Sequence, residues 1–296
     1  MGYRSIFRPD LFKGQKIIVT GGGSGIGRCT AHELVSLGAD VALVGRSQDK
    51  LDAAQAELEA AGGVATTHSC DIREEGAVRQ TVTDILNAHG QINGLVNNAG
   101  GQFPAPLESI SKNGWEAVVK NNLTGGFLFA RECYTQWMKE NGGGSIVNIV
   151  ADMWTSMPGM GHSGAARKGM LSFTETASVE WGCAGVRVNA VAPGWIMSSG
   201  MDTYPDWFQD QILKLATYTP AKRLGTESET SAAIVFLLSE AAAFVSGDCI
   251  RVDGAAPNAR MHWPLPDHDN NEPFNGFHLA VTPKLFQEPS STEDEK

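Results

Sequence analysis

Residues 16–27 read KIIVTGGGSGIG, and the ten that follow, RCTAHELVSL, continue in a helical pattern. Lys16–Thr20 is apolar and rich in β-branched side chains, which suits a strand covered on both faces. The glycines after it let the chain turn with positive φ and bring backbone N–H groups close to an anion. A helix that starts at Gly25 turns the positive end of its dipole toward the same place. A glycine triplet alone says little. Set between a strand and a helix, it predicts a cradle for the pyrophosphate of a dinucleotide. Gly21, Gly23, Ser24, Gly25, Ile26 and Gly27 are its expected contacts.

Outward from this unit, short apolar runs alternate with helix-length segments. Strands are expected at Lys16–Thr20, Asp40–Val44, Ala65–Ser69, Gly94–Val96, Ser145–Val150, Arg187–Val191 and Asp248–Val252. The segments between them include Gly25–Leu37, Gln48–Ala61, Trp115–Glu140 and Gly164–Trp181. Such alternation implies α/β architecture: one doubly wound, Rossmann-type domain over 12–255, with a parallel sheet of about seven strands and right-handed crossovers. Two stretches break the rhythm. Trp195–Arg223, with Met197, Met201, Tyr204, Trp207, Phe208 and Tyr218, reads as a substrate lid. Residues 256–296, rich in Pro, Asn and Asp, read as an irregular extension over the surface.

The second strand ends Val44-Gly45-Arg46-Ser47. Selectivity for NAD at this place needs an acid to bond the ribose hydroxyls. Gly45 removes it, and Arg46, with Ser47, offers a planar cation suited to a 2′-phosphate. The coenzyme expected is NADP(H).

The 296 residues carry a formal net charge of -10, which argues against nucleic acid as a partner. Five cysteines without repeated spacing read as reduced thiols, and no CxxC pair suggests a metal. Asp267-His268-Asp269 invites a metal reading, but neighbours in an irregular strand diverge, so none is expected. No apolar run is long enough to span a membrane. MGYRSIFRPDLFKGQ at the start has no uninterrupted apolar stretch, and TEDEK at the end is not a peroxisomal address. A cytoplasmic protein is expected.

Several further motifs together resemble the short-chain dehydrogenase/reductase family over roughly residues 12–255. They are Thr20-Gly21-x-x-x-Gly25-x-Gly27, Asn97-Asn98-Ala99-Gly100, Asn122 within NNLTG, Arg187-Val188-Asn189-x-Val191-x-Pro193-Gly194, and Val252-Asp253-Gly254. The resemblance implies that Asp71, with Ile72, meets the adenine. It implies that Asn98, Ala99 and Gly100 line the coenzyme, and that Pro193, Gly194 and Ile196 lie on the nicotinamide side. It also implies pairing through Trp115–Glu140 and Gly164–Trp181, hence a homodimer or homotetramer.

The active-site pattern departs from that family. Its Tyr-x-x-x-Lys pair, counted back from Phe173-Thr174, falls on Ser163 and Arg167, and its strand-five serine on Val150. Oxidising an alcohol or reducing a ketone needs proton transfer at the oxygen. Reducing a conjugated C=C asks less there: charge collects on the carbonyl oxygen and hydrogen-bond donors can hold it. His162-Ser163-Gly164-Ala165-Ala166-Arg167, Gly100-Gly101-Gln102-Phe103 and Pro266-Asp267-His268-Asp269-Asn270 resemble the peroxisomal trans-2-enoyl-CoA reductase branch, related to the dienoyl-CoA reductases, which also lacks that tyrosine. MGYRSIFRPDLF resembles bacterial proteins assigned to acyclic terpenoid (citronellol-type) catabolism.

The first expectation is therefore an NADPH-dependent reductase of an enoyl thioester or related enone. The alternatives are an NADP-dependent dehydrogenase of a hydrophobic branched alcohol or aldehyde, and a dinucleotide-binding module that has lost catalysis. Arg167 would hold the nicotinamide ribose in place of the lysine, with Lys168 as competitor, and Asn122 would order a water or contact backbone nearby. Ser163 would donate to a carbonyl oxygen or merely make room. His162 is the nearest conventional proton donor or else a helix-start histidine, and Asp152 is a similar candidate. The substrate expected is a small hydrophobic molecule, with a coenzyme A thioester among the options; Lys222 and Arg223 are the cations that would then offset the acidic surface.

Overall fold

The computed structural model describes residues 2–259 and 262–287; the final acidic stretch and the remaining extension positions lie outside the described residues. The first half of the chain alternates β1 (Lys16–Thr20), α1 (Gly25–Ser36), β2 (Asp40–Gly45), α2 (Gln48–Ala60), β3 (Ala65–Ser69), α3 (Glu75–His89) and β4 (Gly94–Asn97). Then come α4 (Lys112–Val119), α5 (Gly125–Cys133), β5 (Gly144–Ile149), α6 (Gly161–Glu180) and β6 (Val186–Pro193). The segment expected to be a lid, Trp195–Arg223, holds β7 (Ile196–Met197), α7 (Asp206–Ile212) and α8 (Leu215–Tyr218), followed by β8 (Gly225–Thr226), α9 (Glu227–Leu238) and β9 (Cys249–Val252).

Seven strands form one sheet in the order β3-β2-β1-β4-β5-β6-β9, every pair parallel. The expected sheet is thus present. Alternation along β1 sends Ile17 and Val19 into the layer built with α1, α2 and α9, and Ile18 into the opposite layer with α3 and α5. The chain moves outward from β1 to β3, then returns to β4 on the other side of β1. The carboxyl ends of β1 and β4 therefore flank the point where the winding reverses, which is where open α/β sheets bind ligands. Thr20 ties the two together there: its Oγ1 accepts from the backbone N–H of Asn98 and of Ala99, both at 3.0 Å.

The segment read as one helix over Trp115–Glu140 differs. It begins at Lys112, capped by Ser111 Oγ accepting from Gly114 N at 3.1 Å, and two π-helical turns, Lys120–Thr124 and Tyr134–Met138, interrupt it. The first is explained by Asn122, whose amide donates to Val118 O at 2.9 Å and to Gly101 O at 2.6 Å. A side chain bonding into the helical ladder widens it locally. The helix α6 likewise starts three residues before Gly164, at Gly161.

The extension crosses the outer layer and meets the N-terminal arm. Gly276 and Phe277 donate backbone N–H bonds to Ser228 Oγ at 3.1 and 2.9 Å, and Arg4 N donates to Gly276 O at 2.9 Å. Phe277 is buried 5.0 Å from the His32 ring. Earlier in the extension, Lys222 pairs with Asp267 at 3.3 Å, and Arg223 with Glu229 at 2.6 Å and with Asn271 O at 2.8 Å. His268 Nε2 lies 2.9 Å from Pro220 O. Asp267 and His268 thus tie the extension to the segment around Pro220–Lys222. Among the described residues no helix is long and apolar enough to cross a membrane.

Candidate active site

The loop after β1 is constrained by close approach. Gly21 has φ of +67°, and a Cβ there would sit 2.7 Å from Asn98 Nδ2. A Cβ on Gly27 would lie 2.3 Å from Gly21 O, so only glycine lets α1 pack under the loop. The result is a cleft of about 270 Å³. Gly21, Gly23 and Ser24 form one wall, Arg46, Ser47 and Lys50 another, and Ile72, Asn98, Ala99 and Gly100 also face it. Neither Arg46 nor Lys50 is ion-paired with a carboxylate among the described residues. A glycine cradle, a helix N-terminus and two cations awaiting an anion fit a phosphorylated dinucleotide.

Lys50 escaped the sequence reading. Its signal was there: a cation in the first turn of α2 opposes the helix dipole, and an anion bound nearby would compensate it. Of the expected contacts, Gly25 and Gly27 shape the loop without lining this cleft. Asp71 is not on its wall either; Arg73 Nε clasps the carboxylate at 2.8 Å, and that bond above all holds its pKa down, at about 2.

A wider cleft of about 540 Å³ adjoins the first and lies between the ends of β5 and β6 and the lid. Ile26, Pro193, Gly194 and Ile196 line it, together with Arg167. Arg167 is partly buried: Nη1 donates to Ile149 O at 2.5 Å, and the buried Nε has no partner among the described residues. Desolvation pulls its pKa down to about 10, so it still carries a charge at neutral pH. A Cβ on Gly100 would lie 2.7 Å from both Arg167 Nη2 and Asn122 Oδ1, which places these two groups around one backbone position. Asn122, 3% exposed, is in turn clamped to the backbone of Gly101.

Ser163 and His162 are placed differently from a catalytic pair. Both are completely buried, and neither lines the cleft. The Ser163 hydroxyl donates to Gln102 Oε1. The Gln102 amide in turn donates from Nε2 to Tyr204 Oη at 3.0 Å. Gln102 and Tyr204 do line the cleft, so they present the polarity that Ser163 keeps behind them. The His162 ring meets Phe103 edge-on at 4.6 Å, and burial lowers its pKa, which favours the neutral imidazole. Asp152 faces the cleft, its pKa raised first by burial and then by Asp253.

One further acid stands beside the phosphate loop. Glu227 opens α9 with Oε1 3.9 Å from where a Cβ on Gly25 would be; burial raises its pKa from 4.5 to about 7, and Arg28 opposes the shift only in part. An acid whose folded pKa is raised stabilises the fold below its unfolded pKa and loses that contribution as pH climbs through the folded one. Stability is thus expected to fall by up to about 3 kcal/mol between pH ~4.5 and pH ~8 through this group. Urea unfolding at a series of pH values should show that slope flattened in Glu227→Gln. Parallel curves for the two proteins would refute it.

Comparison with known proteins agrees with this geometry. Residues 21–255 match the family model described as enoyl-(acyl carrier protein) reductase. A Bacillus subtilis (strain 168) protein assigned as a 2,4-dienoyl-CoA reductase is 35% identical over 240 residues, 80% of this chain and 94% of that protein. Among solved structures, a citronellol catabolism dehydrogenase of Pseudomonas aeruginosa PAO1 is 61% identical, with TM-score 0.78 over 86% of this chain and 99% of the other. One from Beutenbergia cavernae, assigned as an NAD(P)-dependent gluconate 5-dehydrogenase with NADP at low occupancy, is 30% identical, with TM-score 0.79 over 85% of this chain and all of the other. With its seven-stranded parallel sheet and glycine loop, and with residues 21–255 matched by that family model, this chain is a nicotinamide-dinucleotide oxidoreductase belonging to the short-chain dehydrogenase/reductase family.

Proposed function

We propose that this protein is an NADPH-dependent reductase of the conjugated C=C bond of an enoyl thioester or related enone. The observation that carries the reading is the occupant of the position where a phenol on α6 would stand: a serine with 0% exposure whose hydroxyl is committed to Gln102. An alcohol dehydrogenase needs a base there, whereas conjugate reduction needs hydrogen-bond donors around a carbonyl oxygen that gains charge. The bound dinucleotide would supply the hydride. Arg167 and Asn122 would hold its ribose side and the adjoining backbone, and Gly194 and Ile196 would bound the nicotinamide.

Arg46 and Lys50 favour the 2′-phosphorylated coenzyme, since Gly45 offers no acid to the ribose. Trp195, Met157, Met201 and Phe208 give the wider cleft an apolar wall that suits an acyl or terpenoid chain. Lys222 is paired with Asp267 of the extension and Arg223 with Glu229 and Asn271 O, so both are poor partners for the phosphates of a coenzyme A carrier. Trp115, Phe127 and Val179 are 39%, 37% and 81% exposed on α4, α5 and α6, which supports assembly as a homodimer or homotetramer through those helices. We assign the protein to the cytoplasm.

The second reading, oxidation of a branched hydrophobic alcohol, has the 61% identity to the citronellol catabolism protein in its favour. NADPH oxidation measured with crotonyl-CoA and longer enoyl thioesters separates the two. Turnover that improves with chain length is expected. Silence at every length, with NADP⁺ reduced by citronellol, would move the assignment to the alcohol. Tight NADPH binding without either reaction would mark a non-catalytic module.

A further inference from the structure

Tyr204 lies in the lid, far in sequence from any position at which the family places its phenol, yet it faces the same cleft as Arg167. The residues Ser199–Thr203 just before it form a 3₁₀ turn, and its ring packs 5.2 Å from Phe208 and 6.4 Å from Trp195. Its hydrogen bond also has a direction. Ser163 Oγ donates to Gln102 Oε1, which orients the amide so that Nε2 donates to Tyr204 Oη at 3.0 Å. The oxygen of Tyr204 is therefore an acceptor in that chain, and its own proton remains available to a further acceptor. A donor already polarised by an incoming hydrogen bond is also a stronger one.

We propose that Tyr204 is the catalytic phenol of this protein, brought from the lid to the place that Ser163 leaves without one, and that Gln102 is the residue that positions it. The inference rests on the reductase reading for the identity of the substrate oxygen. As the β-carbon accepts hydride, the electron pair of the double bond moves toward the carbonyl oxygen, and Tyr204 Oη–H donates a hydrogen bond to that oxygen. Tyr204 keeps its proton; solvent protonates the α-carbon, and NADPH is the reductant consumed. Because the donor belongs to the lid, the polar site is complete only while the lid is seated on Gln102.

The test compares the wild type with Tyr204→Phe, Gln102→Leu and Tyr218→Phe against enoyl thioesters, a conjugated ketone and a branched primary alcohol. Tyr218 is 66% exposed outside the cleft and serves as control. Whichever compound the wild type turns over, Tyr204→Phe is expected to lower kcat about 100-fold, a typical cost of losing one donor to a developing oxyanion. Gln102→Leu should lose about 10-fold, and Tyr218→Phe should match the wild type. NADPH affinity, read by fluorescence titration, should be unchanged in all three. A conjugated aryl enone bound to the wild type should show a red-shifted absorbance that Tyr204→Phe lacks. Unchanged kcat in Tyr204→Phe beside an active wild type overturns the role of Tyr204 and leaves the reductase reading intact. Turnover of the alcohol alone, lost in Tyr204→Phe, overturns that reading and keeps the phenol. No turnover by the wild type on any compound overturns both.

Discussion

Arg167→Met is expected to lower kcat/KM by about 10²- to 10³-fold while raising the melting temperature of the coenzyme-free protein. The two effects share one cause. Arg167 is a partly buried cation with a single carbonyl partner, Ile149 O, and a buried Nε that, like the rest of the guanidinium, meets no carboxylate among the described residues. Desolvating a charge with so little compensation opposes folding, and an apolar side chain of similar volume removes that cost. A gain of 1–2 kcal/mol would appear as a rise of roughly 2–8 °C in a domain of this size. Function reverses the sign, because in the proposed role the ribose hydroxyls of the dinucleotide would be the partners Arg167 lacks. Thermal melts with and without NADPH check this: the variant should melt higher when free and gain less from NADPH. Arg167→Lys, which keeps the charge on a shorter reach, should fall between the two. A variant that is less stable when free and still active would show that Arg167 serves packing alone.

Arg46→Ala combined with Lys50→Ala is expected to raise the KM for NADPH by about 10²-fold or more and to leave that for NADH nearly unchanged. A hydrogen bond to a charged group contributes about 1.5–3 kcal/mol, and both cations face one cleft with no carboxylate partner among the described residues. Their exposure brings screening, so the preference for NADPH in the wild type should shrink as salt is added. In the double variant that salt dependence should disappear. Equal losses for both coenzymes would mean that the pair supports α2 rather than a 2′-phosphate.

What the sequence showed and what it hid divide along the range of the interactions. The unit Lys16–Thr20, glycine loop and α1 is a local pattern in which strand period, turn residues and helix start agree, and the sheet followed from its repetition. The break at Lys120–Thr124 was invisible because it depends on Asn122 reaching Gly101, a partner in a distant loop. Spacing alone placed Ser163 and Arg167 on α6, but it could not say which way each side chain turns: Arg167 enters the cleft, while Ser163 and His162 end against Gln102 and Phe103. Gln102 and Tyr204 meet across 102 residues through two irregular segments, where no periodicity links them. Lys222 and Arg223, considered as cations for a coenzyme A carrier, instead hold the extension, a use that appears only when residues 265–272 are in place.

The central claim, hydride delivery to a carbon–carbon double bond, is tested most directly by where the hydride goes. The protein is supplied with NADPH carrying deuterium at the transferable C4 position and with a conjugated enoyl thioester, and the product is analysed by mass spectrometry and NMR. One deuterium on the β-carbon of a saturated acyl chain is the result expected. Deuterium on the carbonyl carbon, or an untouched thioester beside a branched aldehyde reduced to its alcohol, would contradict it.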